Sequence, residues 1–100
     1  MRAEVFRYEF GPTIPMADVE GSLVLAIMGI ESLHGETETR LDAAHFFDRE
    51  KHACVIDAST EVGRDFNRLF VGYLRRELGS DSFRVERADA RENEPAKAAA

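Results

Sequence analysis

The chain has a single cysteine, Cys54, no tryptophan and only three prolines. It also has no apolar run approaching the ~20 residues that a bilayer-spanning helix needs. One cysteine excludes an intramolecular disulfide and fits a reducing, cytoplasmic setting. The opening residues Met1-Arg2-Ala3-Glu4 lack the basic segment and apolar stretch of a secretory signal, so no membrane association is expected. Positive charge is in deficit as well. Thirteen Lys and Arg stand against 19 Asp and Glu, a net charge of −6, which argues against a protein built to coat nucleic acid. No GxGxxG or GxxxxGK[ST] loop occurs, and Gly11-Pro12 cannot cradle a phosphate, so no cofactor is expected. The three histidines, His34, His45 and His52, fall on separate segments and do not make the three or four converging ligands of a zinc site; no metal is expected either.

What is present suits one globular domain. The chain is 44% hydrophobic and 32% charged over 100 residues, neither a disordered nor a fibrous composition. The charge is unevenly spread: residues 1–50 hold four basic and ten acidic residues, residues 51–100 nine of each. From residue 89 the chain is charged and alanine-rich and lacks large apolar residues, which predicts a domain over 1–88 and a flexible tail over 89–100.

Alternation of Phe6, Tyr8 and Phe10 with Arg7 and Glu9 predicts a first strand over 4–10, ended by Gly11-Pro12. Val19, Leu23, Ala26, Ile27 and Ile30 recur at helical spacing and predict a helix over 16–34, closed by His34-Gly35. That helix is apolar beyond its stripe, at Val24, Leu25 and Met28, and carries small residues at Gly21, Ser22, Ala26 and Gly29 that invite a close neighbour. Strands are expected over 38–47 and 52–58, joined by the polar link Asp48–Lys51. In that register Phe47 faces His52, His45 faces Cys54 and Ala43 faces Ile56, on one face with Leu41 and Ala58. Ser59 or Thr60 should cap a second helix with the stripe Val62, Phe66, Leu69, Phe70, Tyr73 and Leu74, ended by Gly79. Residues 82–88 alternate as a last strand. The order predicts an α+β ferredoxin-like βαββαβ two-layer sandwich, a four-stranded antiparallel sheet of order 4-1-3-2 with two helices on one face. Many unrelated activities use that architecture, so it licenses no function.

Four constellations carry chemistry, each beside a simpler reading. His45 beside Cys54, with Tyr8 near, has the residue types of a nucleophile or ligand pocket; the simpler reading is a small buried thiol and a hydrogen-bonded histidine. Arg64, Arg68 and Arg75, spaced by four and seven, share a helix face that could grip a polyanion, although Glu61, Asp65 and Glu77 stand among them as on any solvated face. An RNA-recognition sheet is rejected, because residues 52–58 carry no aromatic. Asp42 and Asp57 are expected to be cross-strand neighbours, more simply a surface charge cluster than an acid–base pair. Finally, Val5, Ala44, Phe46, Ala53 and Val55 would leave an apolar patch on the sheet face away from the helices.

The sequence thus predicts a small cytoplasmic interaction or regulatory module without catalytic activity, self-associating as a homodimer through that sheet face or the first helix, with a protein partner also conceivable. The alternatives are a ligand-binding protein or enzyme with a pocket at Tyr8, His45 and Cys54, and polyanion binding through the arginines.

Overall fold

Phe6, Tyr8 and Phe10 turn to one side of strand β1 (Val5–Phe10), and the main hydrophobic core is assembled against that side. The computed structural model describes residues 4–88; the expected tail over 89–100 lies outside them. Chain order continues with α1 (Met16–His34), α2 (Glu36–Asp42), β2 (His45–Asp48), β3 (Ala53–Asp57), α3 (Glu61–Leu78), a single 3₁₀ turn over Ser80–Ser82, and β4 (Phe83–Ala88). The four strands form one antiparallel sheet of order β2-β3-β1-β4, which from the opposite edge reads 4-1-3-2. The domain is α+β with three helices where two were expected.

The helix ends follow local chemistry. Thr60 caps α3 by accepting the Gly63 N–H at 2.9 Å. Gly35 (φ 88°) and Gly79 (φ 87°) end α1 and α3 in a backbone conformation open to glycine, their N–H groups bonded to Glu31 and Arg75 carbonyls. All the large buried side chains meet in one layer between sheet and helices. Tyr8, Ile56 and Cys54 from the strands meet Val19 and Ile30 of α1 and Phe66, Phe70 and Leu74 of α3. Each contributes about 1.5–3 kcal/mol by leaving water. Tyr8 packs edge-to-face on Phe70 with centroids 5.1 Å apart. At Gly29 α1 lies close against α3: a Cβ there would sit 3.0 Å from Leu69 Cδ1. Gly21 has no such reason, because nothing lies within 4 Å of a Cβ built on it.

Two expectations are corrected. The segment expected to begin a strand at residue 38 is helical. Glu36 and Arg40 pair at 3.0 Å one turn apart, and the buried Thr39 donates its hydroxyl to Gly35 O at 2.8 Å. Leu41, expected in the core, is 73% exposed on that helix, which packs against α1 and α3. Strand β2 shrinks to His45–Asp48.

The second correction is register. The loop is Arg49–His52, one residue later than expected, because Asp48 Oδ1 accepts the Lys51 N–H at 3.2 Å and His52 closes the turn at φ 52°. Phe47 therefore opposes Cys54 and His45 opposes Ile56, not His52 and Cys54. The slip is two residues in the pairing, so the side chains of β2 and β3 keep their faces. Asp42 ends α2, and its carbonyl accepts the Thr60 hydroxyl. Asp57 opposes Val5 and holds the Ser59 N–H at 2.9 Å, so the two aspartates are not cross-strand neighbours. Among the described residues no helix is long and apolar enough to cross a membrane.

Candidate functional site

Tyr8 and Cys54 are opposed on β1 and β3 with no exposure at all. Desolvation pushes the Cys54 thiol up from 9.0 to about 12 and the Tyr8 phenol well above its usual range. A thiol held protonated is no nucleophile at neutral pH. The Tyr8 hydroxyl donates to Asn67 Oδ1. His45 stands apart at the exposed edge, its ring edge-on to Phe66 at 5.4 Å and its Nδ1 3.0 Å from Ala43 O. The three residues therefore share a sheet face but form no triad, and three clefts among the described residues are lined by others.

The opposite sheet face is apolar toward β2 and charged toward β4. Neighbouring rows run Phe46, Val55, Arg7, Glu86 and Asp48, Ala53, Glu9, Arg84. Glu9 accepts Arg84 at 2.7 Å and Arg7 at 3.1 Å, and those two guanidiniums hold its carboxyl below the usual carboxylate range. Of the five residues expected to form an interface here, Val5 and Ala53 are buried within the chain and Val55 is half-buried. Ala44 and Phe46 are exposed, so the patch reduces to one aromatic near an edge.

A broader apolar surface lies on the other side of the molecule, along α1. Val24, Leu25 and Met28 are each about half exposed (48%, 47% and 56%). With Ala17 and Gly21 they form a second stripe spaced by four, three, one and three, opposite the stripe that enters the core. The stripe borders a groove of about 690 Å³ whose other wall is Glu77 and Leu78 at the end of α3. Its rim is acidic, with Asp18, Glu20 and Glu31; Arg49 reaches Glu20 from the β2–β3 turn at 3.0 Å. The sequence showed the surplus apolar residues of this helix, but not which of them the core would leave outside.

Arg64, Arg68 and Arg75 share the exposed flank of α3, as their spacing predicts. The first two line a cleft of about 180 Å³ together with Glu4, Phe6, Ala58 and Asn67. Sequence reasoning missed Arg87, whose guanidinium lies over the Phe6 ring, 5.7 Å from its centroid. Comparison with family models, curated proteins and solved structures brings no match.

Proposed function

We propose that this chain is a small self-associating interaction module, without catalytic activity of its own, whose two copies pair through the outward face of α1. The architecture is read as a ferredoxin-like plait elaborated by α2, working in the cytoplasm, where a lone thiol stays free. The observation that carries the proposal is the second apolar stripe of α1, which no element of the same chain covers among the described residues. The stripe is self-complementary. A two-fold axis near Val24 and Leu25 runs two α1 helices antiparallel and lays Met28 of each copy against the Gly21 notch of the other. Large against small, twice over, fits an isologous contact better than it fits water.

From Ala17 to Met28 the stripe is about 17 Å long. With the groove wall beside it, this places the interface at the small end of specific contacts and the dissociation constant on the order of 10 µM. Light scattering coupled to size exclusion, from about 5 to 500 µM, should show the mass climbing from 11.2 kDa toward twice that value. Met28→Asp should weaken the dimer at least tenfold by burying an unpaired charge. Phe46→Asp on the sheet should leave it intact. A strict monomer at the top concentration, or a dimer broken by Phe46→Asp and not by Met28→Asp, defeats the assignment.

A further inference from the structure

We infer that the cleft between the start of α3 and β1 is a binding site for a small phosphate-bearing anion, gripped by Arg64, Arg68 and Arg87 over the ring of Phe6. This site is independent of the α1 surface, on a different part of the molecule. Three observations meet there. The first is spare cationic capacity. Three arginines elsewhere are held tightly, Arg84 to Glu9 at 2.7 Å, Arg49 to Glu20 at 3.0 Å and Arg40 to Glu36 at 3.0 Å. Around the cleft the contacts are long: Arg68 to Asp65 at 3.7 Å, Arg87 to Glu4 at 3.5 Å, and Arg64 to the Ser59 carbonyl at 3.5 Å. Asp65 is also engaged at 2.9 Å by His34. At such distances a guanidinium keeps its fork of donors for a better acceptor.

The second observation is a fixed donor. The buried Tyr8 hydroxyl donates to Asn67 Oδ1, so the amide turns its oxygen toward the core. The Asn67 NH2, with two N–H donors, meets no acceptor among the described residues, and Asn67 lines the cleft. The third is size and shape. A space of about 180 Å³ floored by Phe6 and Ala58 holds a phosphate group with a small appended moiety, but not a folded partner. Three cations and an amide suit a dianionic phosphate better than a single carboxylate. Glu4 also lines the cleft, and its carboxylate opposes any anion that enters. This makes the sign of its substitution diagnostic.

The test is a ¹⁵N-NMR titration of the whole chain with inorganic phosphate, pyrophosphate and, as a monocarboxylate control, acetate, at low ionic strength. Saturable shifts should centre on Phe6, Ala58 and Asn67 and be stronger for pyrophosphate than for acetate. Arg64→Gln and Arg87→Gln should each weaken binding about tenfold, the scale of one charge-assisted contact. Glu4→Gln should tighten it, and Arg76→Gln, on another face of α3, should leave it unchanged. Circular dichroism of each variant separates loss of binding from loss of fold. Equal losses from Arg76→Gln and Arg64→Gln, no tightening by Glu4→Gln, or binding only to a long polyanion such as heparin would overturn the site.

Discussion

Cys54 shows how much one buried atom decides. Its sulfur has no exposure, and desolvation alone lifts its pKa from 9.0 to about 12. In the unfolded chain the thiol ionises near its ordinary value, while the folded chain keeps the proton. Between those two values the unfolded state binds fewer protons than the native state, so stability falls as pH rises. The stabilising preference is whole below about pH 9 and is lost upward through about pH 12, at a slope near 1.4 kcal/mol per pH unit. Tyr8, opposed to Cys54 and raised in the same direction, adds its own loss above its ordinary value of 10.0. Chemical denaturation at pH 8, 9 and 10 should show the decline, and Cys54→Ala should flatten its first part. A thiol reagent at pH 8 should label Cys54 no faster than the chain opens; rapid labelling of the native protein would mean the sulfur is reachable after all.

At the scale of elements, β1, α1, α3 and β4 were legible because each has one dominant period. Helix α2 was not. Residues 36–42 offer one large apolar side chain, Leu41, and a lone apolar residue fits an alternating pattern as well as a helical one. The signals that decide it, the Glu36–Arg40 pair and the Thr39 hydroxyl on Gly35, are local and were present in the sequence. The hairpin register failed by two residues because the turn chemistry of Asp48 and His52 was read one position early; the core survived because faces repeat every second residue. Of the candidate anion site, the α3 arginines followed from spacing, whereas Arg87 joins them only because β4 lies beside β1. Glycine makes the sharpest contrast between elements. Gly63 in α3 is held at glycine by the Asp57 carbonyl, whereas a Cβ at Gly29 in α1 would press only on the end of the Leu69 side chain. Gly21, with open space around it, costs its helix about 1 kcal/mol relative to alanine without repayment inside the monomer. If the notch is there for Met28 of a second copy, Gly21→Ala should raise the stability of the monomer by about 0.5–1 kcal/mol while weakening the dimer. The equivalent change at the similarly open Gly72 in α3 should stabilise without touching association. Thermal melts at low concentration and light scattering at high concentration read the two effects separately.

At the scale of the whole molecule the two proposed surfaces answer oppositely to salt. The first half of the chain carries the entire net charge of −6, and α1 holds its share in Asp18, Glu20 and Glu31 around the exposed stripe. Pairing two such helices brings like-charged rims together, relieved in part where Arg49 engages Glu20. The attraction is apolar and the opposition is electrostatic. Raising ionic strength shortens the screening length from ~30 Å at 0.01 M to ~3 Å at 1 M and removes the opposition first. Dimerisation should therefore tighten severalfold between low and high sodium chloride. Anion binding in the α3 cleft is held by arginine charge and should weaken over the same range. Sedimentation and the phosphate titration, run on one protein stock across the same salt series, give two curves of opposite slope. A dimer that loosens with salt would instead be held by charge, basic α3 flank against acidic α1 rim. Joining two different patches head to tail, that contact would build rings or open chains rather than a closed pair.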